Sequence, residues 1–314
     1  MPFETRHIIG TATLFGLLWA GIFTTSPTLA ASAEVGDVDR SVDAAVDGVV
    51  VIHNAAGTLR VIGWDEPKVQ VQGTVGEDNR GLTIQTEGHR TTVRVVPPKE
   101  RGKGMFSKFF PEDLAGNLEV RVPAGSSLEI LVESSAVDVK GVSGAIDLET
   151  VASEVVVRGE PSKVRFESVS GLARFEGKTG ELWAESLSGT IEIAGETQAL
   201  AVETVSGDIT IDGDTAGGEL TSLSGDITFS GSLTAGGRLG FDNHGGDIVL
   251  VLPTELGADF DLVTVKGKIE NTLAPEAKAQ RRGENFEASF VHGGGGSTIT
   301  AETFRGDIRI EPRS

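Results

Sequence analysis

The chain has 314 residues, a formal net charge of −19 at pH 7, and neither cysteine nor tyrosine. Such an acidic surface repels nucleic acid and anionic lipid, which disfavours both as partners. The lack of cysteine excludes disulfides, thiolate metal sites, thiol nucleophiles and a lipid-modified cysteine anchor. The 42 glycines, spread through sequence rich in Val, Ile and Thr, indicate many tight turns between short strands.

Residues 1–33 have the features of a secretory signal peptide. Arg6 precedes an apolar run over residues 8–23, and Ala31-Ser32-Ala33 forms a cleavage site of the A-x-A type. The alternative is an uncleaved membrane anchor, for which this run is short because spanning needs about 20 apolar residues. We therefore expect an exported protein in the periplasm, in the cell envelope or in the medium.

The mature chain begins with small and acidic residues over 34–45, which predict a flexible lead-in. Over residues 46–132, short apolar runs alternate with turn residues, as at 49–52 and 58–62. This region shows no 3.6-residue apolar period of useful length, so it predicts β-strands rather than helices.

A basic, aromatic insertion at residues 97–117 interrupts this strand region. One interpretation is a surface loop whose phenylalanines fold back onto the protein. The other is a contact site for membrane or an acidic partner, because basic residues beside apolar groups favour interfaces. The residues that would make this contact are Lys99, Arg101, Lys103, Phe106, Lys108, Phe109 and Phe110.

Repeats occupy residues 133–312. Gly171, Gly189, Gly207 and Gly225 recur at a constant 18-residue interval, and small residues recur at half that interval. Apolar pairs follow two and four positions later, so both members of a pair face the same side of a strand. Stacking such units places like residues over one another at about 4.8 Å. This pattern predicts an all-β fold, a single-stranded parallel, right-handed β-helix or solenoid with 18-residue coils made of two nine-residue halves.

The period lengthens towards the end of the repeat region. Gly225, Gly246 and Gly267 follow one another at a 21-residue interval, and a 39-residue interval separates Gly267 from Gly306. The added residues predict enlarged loops, the largest within an insertion at 274–297. Its polar sequence predicts a mobile loop or a short helix.

The order of several short motifs resembles the DUF4097 family over roughly residues 46–312. The resemblance implies an exported, adhesin-like β-helix without known catalytic residues. The insertion at 97–117 departs from the compact hairpin usual in that family. The motifs that carry the resemblance are Gly57-x-Leu59-x-Val61-x-Gly63-Trp64-Asp65, Val120-x-Val122-Pro123, the serial Ser-Gly-Asp-Ile units, Asp247-Ile248-Val249-Leu250-Val251-Leu252-Pro253 and Gly306-Asp307-Ile308.

Two sets of repeated acids are candidate sites. Glu149, Glu167, Glu185 and Glu203 recur with the 18-residue period, so they should stack on the outside, where like charges repel unless spread or bridged by cations. This set is the candidate binding face. The second set follows turn glycines and is similar to calcium-binding nonapeptide rolls, but it lacks their double glycine. Turn stabilisation is therefore the favoured interpretation, and calcium the alternative, for Asp208, Asp226, Asp247 and Asp307.

No motif for catalysis is present. The five histidines form no metal-binding pair, and neither a G-x-S-x-G elbow nor a phosphate-binding loop occurs. The sequence thus predicts no catalytic residues and no cofactor. One enzyme class stays open, a polysaccharide-acting β-helix, because stacked carboxylates supply the pairs that glycosidases use.

These observations favour a secreted, non-catalytic β-solenoid of the cell envelope, an adhesin-like protein that binds a macromolecule or glycan or has a structural role. The alternative is an envelope-stress or regulatory accessory protein that contacts membrane or a partner through the 97–117 loop. The ligand and the oligomeric state stay open at this point.

Overall fold

The computed structural model describes residues 35–98 and 115–313, and its regular elements there are all β-strands. The predicted signal peptide and the basic residues 99–110 lie outside this part of the chain. Within the described residues, no helix exists that is long and apolar enough to cross a membrane. The prediction of an all-β protein is confirmed.

Twenty-one strands run through the described residues. The N-terminal strands are β1 (Gly36–Asp43), β2 (Val49–Trp64), β3 (Lys68–Val75), β4 (Leu82–Glu87), β5 (Arg90–Val95) and β6 (Gly116–Pro123). The central strands are β7 (Ser127–Lys140), β8 (Ala145–Gly159), β9 (Lys163–Ser186), β10 (Thr190–Thr204), β11 (Ile209–Asp212), β12 (Thr215–Ser222), β13 (Ile227–Ser230) and β14 (Leu233–Asn243). The C-terminal strands are β15 (Ile248–Leu252), β16 (Ala258–Thr264), β17 (Ile269–Asn271), β18 (Gln280–Arg282), β19 (Asn285–His292), β20 (Ser297–Thr303) and β21 (Ile308–Pro312).

The central strands stack in parallel with the 18-residue register that the sequence predicts. Leu148 pairs with Phe166, and Leu182 pairs with Leu200, one full coil later in the chain. Both side chains of each pair point inwards and lie one above the other, so the core is a set of continuous apolar columns. Complete burial of one Val, Leu or Ile stabilises the fold by roughly 1.5–3 kcal/mol. One such column consists of Leu148, Phe166, Ala184, Val202, Leu220 and Phe241, each at most 3% exposed.

The turn glycines allow neighbouring coils to approach closely. A Cβ atom added to Gly207 would lie 1.8 Å from the carbonyl oxygen of Gly189 in the coil below. Real Cβ atoms do not come this close to an oxygen, so any side chain here would push the two coils apart. The repeated Ser-Gly unit therefore exists because backbone packs on backbone at this turn.

The N-terminal coils do not stack in chain order. β2 pairs in parallel with β7 on one side and with β5 and β6 on the other. β2 therefore lies between strands that both follow it in sequence. β4 lies antiparallel to β5, and β3 lies antiparallel to both β6 and β1. These antiparallel strands cover edges that the parallel coils would otherwise expose to other chains. Parallel coils thus begin well before residue 133.

The expected flexible lead-in at 34–45 is instead strand β1. Val38 in this strand is 4% exposed and belongs to the core. Asp39 accepts hydrogen bonds from the side chains of Gln70 at 3.3 Å and Gln72 at 3.1 Å. The prediction was wrong because Val38 and Val42 are the only apolar residues in the inward-facing positions of β1, and the polar residues around them, among them Asp37, Asp39 and Asp43, conceal the strand pattern. Those acids lie on a sheet edge, where charge prevents unwanted pairing.

The C-terminal coils are also out of order. β20 pairs with β14 on one side and with β16 on the other, and β21 pairs with both β15 and β17. The last coil of the chain therefore lies between two coils that precede it in sequence. The coil that contains Gly306 is therefore not added after the coil of Gly267. Gly306 lies directly over Gly246, between Gly246 and Gly267.

The insertion at 274–297 is a β-hairpin rather than a mobile loop or a short helix. β19 pairs antiparallel with β16 and with β18. Ala288 is 4% exposed, and the Phe290 ring stacks on Phe260 with centroids 4.6 Å apart. The hairpin covers the free edge of β16 and so caps this end of the solenoid, as terminal repeats do.

Candidate functional site

The four predicted glutamates lie in one column on the outside of the solenoid. Glu149 pairs in register with Glu167, and Glu185 pairs with Glu203. The register therefore shows the stacking that the 18-residue period predicts. Parallel neighbours lie about 4.8 Å apart, so their carboxylates form a closely spaced row.

This column continues beyond the residues that the sequence indicated. Glu203 lies beside Thr221, Thr221 beside Asp242, and Asp242 beside Glu302. We call Glu149, Glu167, Glu185, Glu203, Asp242 and Glu302 the carboxylate ladder. Asp242 and Glu302 lie far apart in sequence, so only the unexpected coil order could have placed them together.

Repulsion along the carboxylate ladder is only partly balanced. Burial, followed by the charges of Glu167 and Asp147, raises the pKa of the Glu149 carboxyl above its usual value. Burial, followed by Glu203 and Glu167, raises the pKa of Glu185 in the same way. Burial is also the largest cause of the raised pKa values of Asp242 and Glu302. These groups hold their charge at an energetic cost.

Arg165 supplies one positive charge beside the ladder. Its guanidinium pairs with Glu167 and lies 3.7 Å from Asp147, and it also covers the Trp183 ring at 4.6 Å. The upper part of the ladder, from Glu185 to Glu302, extends away from this arginine. A partner that brings positive charge would relieve the repulsion there.

An exposed apolar column runs beside the carboxylate ladder, two positions further along each coil. We call Val151, Val169, Leu187, Val205 and Leu223 the apolar ridge. Leu187 and Leu223 are 51% and 53% exposed, and Val151 and Val205 are 44% and 41% exposed. The exposure of this ridge is not evident from the sequence, because Leu187, Val205 and Leu223 fall at bends between strands, where periodicity alone does not show which side chains are exposed.

Beyond Leu223 the ridge continues with aromatic and basic residues. The His244 and Phe304 rings stack with centroids 5.0 Å apart, and Lys266 Nζ lies 4.9 Å from the Phe304 ring. The backbone bonds that carry the ridge from coil to coil persist here, since Phe304 donates its N–H to the Asn243 carbonyl at 3.2 Å.

Side-chain hydrogen bonds hold the backbone of the ridge in place. The hydroxyl of Ser188 donates to the carbonyl of Val169 at 3.0 Å, and Ser224 donates to Val205 at 3.0 Å. Ser170 and Ser206 make the same contact with the coil below. These serines therefore have a structural role, and the ridge is a fixed surface. We refer to the ridge and the ladder together as the acidic–apolar edge.

The column of aspartates has a different environment. The Asp208 carboxylate accepts the backbone N–H of Asp226 at 2.9 Å, and Asp226 accepts that of Asp247 at 2.8 Å. Asp247 in turn accepts from Asp307, and Asp307 accepts from Lys268 at 2.9 Å. Each carboxylate thus bridges to an amide of the next coil. Among residues 35–98 and 115–313, no three His, Asp or Glu side chains are placed to hold a metal ion.

On another column of the solenoid, acids alternate with bases. Arg158 contacts Asp138 at 2.6 Å and Glu176 at 3.0 Å, and Arg174 contacts Glu176 at 2.7 Å and Glu192 at 3.2 Å. The upper carboxylate ladder contrasts with this alternating arrangement. The contrast distinguishes the acidic–apolar edge from an ordinary charged surface.

The described strand that precedes the predicted interaction loop lies below the carboxylate ladder. Arg94 pairs with His53, which pairs with Leu131, which pairs with Glu149, so Arg94 lies below the carboxylate ladder. Gly116 lies at the position where the next strand of this coil begins. Lys99, Arg101, Lys103, Phe106, Lys108, Phe109 and Phe110 themselves lie outside the described residues.

Comparisons with known proteins place the chain in a family. The model of the family described as Toastrack DUF4097 matches residues 28–311. A "putative adhesin" from Bacteroides fragilis is 10% identical, with a TM-score of 0.43 over 88% of this chain and 96% of that one. A "Putative lipid binding protein" from Parabacteroides distasonis is 13% identical, with a TM-score of 0.42 over 88% and 98%. The comparison with curated proteins found no match. Because the family match extends over most of the residues, the chain belongs to the Toastrack DUF4097 family.

Proposed function

We propose that this protein is an exported, non-catalytic β-solenoid that binds another macromolecule or a glycan at the cell envelope, as an adhesin does. The observation that carries this proposal is the acidic–apolar edge. Contiguous exposed apolar surface on a stable protein marks an interaction site. Here it is repeated from coil to coil and held by hydrogen bonds, which favours a binding surface over a catalytic pocket.

Export and coil geometry belong to the same proposal. The signal-like sequence at residues 1–33 supports secretion to the envelope or beyond it. A right-handed path of the coils is proposed because about 98% of parallel crossovers take that hand. No cofactor is proposed, since the Asp208, Asp226, Asp247 and Asp307 carboxylates already accept backbone hydrogen bonds.

A capture experiment tests the proposed function. The exported chain is immobilised, incubated with envelope extract and, in parallel, applied to a glycan array. The Leu187→Asn/Leu223→Asn variant removes the two most exposed ridge residues, and Val291→Asn is a matched control because Val291 is 63% exposed elsewhere. We expect retained molecules to be lost with the ridge variant and kept with the control. Equal retention by all three proteins would show that the edge is not the binding surface.

A second candidate function is an accessory protein that contacts membrane or a partner through the basic insertion. The position of Arg94 below the carboxylate ladder favours it, because the described part of the chain leads into the insertion from this strand. Deletion of residues 99–111 followed by membrane fractionation separates the two candidates. Release of the deleted protein from the membrane fraction would support the accessory role, and unchanged fractionation would exclude it.

A further inference from the structure

We propose that the acidic–apolar edge binds a basic amphipathic helix of a partner protein. This inference rests on the proposed binding function and specifies the partner's chemistry. The helix would lay an apolar stripe on the ridge and place Lys or Arg side chains over the carboxylate ladder.

The ridge supplies the apolar part of this contact. Leu187, Val205 and Leu223 are each more than 40% exposed, and their backbones are linked directly from coil to coil. Leu187 donates its N–H to Ser168, and Leu223 donates to Thr204 at 3.2 Å. A row of branched apolar side chains on a rigid backbone suits the apolar face of an amphipathic helix, in which a few spaced anchors provide the affinity.

Charge determines which kind of apolar partner fits. The ladder runs parallel to the ridge, and burial and neighbouring acids raise the pKa values of Glu149 and Glu185. A cationic side chain placed between two of these carboxylates would offset their mutual repulsion. A second copy of the same edge would bring acid against acid, and an anionic lipid surface would do the same, so neither is complementary.

Spacing favours a helix over an extended segment. Coils repeat at about 4.8 Å, whereas one helical turn advances about 5.4 Å. Over the four steps from Val151 to Leu223 the mismatch adds up to about 2.4 Å, which flexible Lys and Arg stems can absorb. Residues on one face of a strand repeat at about 6.6 Å, so a strand along the ridge loses register after roughly two coils.

The length of the edge sets the size of the helix. Four steps of about 4.8 Å span roughly 19 Å, which corresponds to about 13 helical residues at a rise of about 1.5 Å. A model peptide of about 18 residues therefore covers the ridge with extra helix at each end. It would carry leucines at helical i, i+3 and i+4 spacing and lysines along one flank of that stripe.

Binding of this peptide to the exported chain tests the proposal. A fluorescein-labelled peptide is titrated with protein and followed by polarisation, and circular dichroism reports its helicity. The control peptides are a scrambled sequence and the same pattern with Glu in place of Lys. We expect saturable binding of the lysine peptide alone, with a gain of helix and an affinity that falls as NaCl rises.

Matched variants locate the contact. Leu187→Asn/Leu223→Asn and Glu185→Gln/Glu203→Gln should each weaken peptide binding about tenfold. The controls are Val291→Asn and Glu276→Gln/Glu284→Gln, which change an exposed apolar residue and two exposed charges away from the edge. These controls should bind like the unaltered chain. Equal losses in variants and controls would overturn the assignment of the surface.

Other outcomes assign the edge to a different occupant. Failure of the peptide to bind, while envelope capture still depends on Leu187 and Leu223, would overturn the helix proposal and leave the binding function standing. Failure of the peptide to bind, together with envelope capture that does not depend on Leu187 and Leu223, would overturn both the helix proposal and the proposed binding function. Peptide binding that occurs only after deletion of residues 99–111 would assign the edge to the chain's own basic segment. A ridge variant that changes the oligomeric mass without affecting peptide binding would assign it to a second copy.

Discussion

Asp307 donates its backbone N–H to the carboxylate of Asp247 at 2.8 Å, although 60 residues separate them in the chain. Asp247 also receives Arg309 at 2.9 Å. The final coil therefore lies against a coil from much earlier in the sequence, with the β16–β17 coil on its far side. A solenoid assembled strictly in chain order would not place these residues together.

Engineered disulfides would test this coil order directly. The chain has no cysteine, so any crosslink reports only the introduced pair. Asp242 is in register with Glu302, and Glu302 is in register with Val263. We expect Asp242→Cys/Glu302→Cys to oxidise readily, because neighbouring strands lie about 4.8 Å apart and disulfides need Cα atoms within roughly 7 Å.

The matched control is Asp242→Cys/Val263→Cys. These residues are two coils apart, about 9.6 Å, which exceeds the disulfide limit. They would be neighbours if the coils stacked in chain order. Non-reducing electrophoresis and mass spectrometry after mild oxidation measure both crosslinks. Efficient closure of the control pair, with none for Asp242/Glu302, would contradict the observed topology.

The central coils could be predicted from sequence because the apolar pairs follow one constant 18-residue period, and stacking translates this period directly into register. Leu148 over Phe166 is such a case. The two ends could not be predicted, since the choice of neighbour for β2 or β20 depends on competition between distant strands. β19 shows the same difficulty, because it forms a strand by pairing with β16, and its own sequence does not indicate this partner.

The candidate site was predicted in part for the same reason. Glu149 to Glu203 follow the regular period, so their alignment was evident. Asp242 and Glu302 were missed because they join the ladder through the rearranged C-terminal coils. The ridge was missed because Leu187 and Leu223 occupy turns, and exposure at a turn depends on the path of the neighbouring coils.

Substitution of a turn glycine should strongly destabilise the solenoid. Gly207→Ala would place a Cβ 1.8 Å from the Gly189 carbonyl oxygen, so the coils must separate or tilt. We expect a loss of more than about 2 kcal/mol in the free energy of unfolding, measured by urea denaturation. Gly240→Ala is the control, because its nearest contact would lie at an ordinary 3.5 Å. This control should stay within about 0.5 kcal/mol of the original protein.

Removing charge from the carboxylate ladder should stabilise the protein at neutral pH. Burial and the neighbouring carboxylates Glu203 and Glu167 raise the pKa of Glu185, so its ionised form is disfavoured in the folded state. Ionisation thus costs stability above this raised pKa, and the cost disappears as pH falls below the unfolded value. Glu185→Gln should increase stability at pH 7 by about 0.2–1 kcal/mol and have little effect at pH 3–4.

Glu176→Gln is the matched control for this charge removal. Glu176 contacts Arg158 at 3.0 Å and Arg174 at 2.7 Å, so its loss should reduce stability at pH 7. Thermal melts of both variants at several pH values show whether the stability change at pH 7 is positive for Glu185→Gln and negative for Glu176→Gln. A loss of stability in both variants would show that the ladder is not a region of net repulsion.

The aspartate column should act through hydrogen bonds rather than calcium. Asp226→Ala leaves the Asp247 amide without its 2.8 Å acceptor, and we expect a loss of about 1–3 kcal/mol. Asp226→Asn keeps an acceptor oxygen and should be much closer to the original protein. Millimolar calcium should leave the melting temperature of the original protein unchanged. A calcium-dependent rise that Asp226→Asn abolishes would instead identify a metal site.

His53 should remain neutral over most of the acidic range. Burial, followed by the positive charge of Arg94, lowers the pKa of its imidazole to about 4. Between about pH 6.5 and 4 the unfolded chain binds a proton that the folded chain does not, so the folded state loses stability as the pH decreases through this range. An NMR titration should show the His53 ring signal shifting near pH 4, and His53→Gln should gain stability over the original chain at pH 5 relative to pH 8. A midpoint near 6.5 would show that the folded protein accepts the proton without penalty.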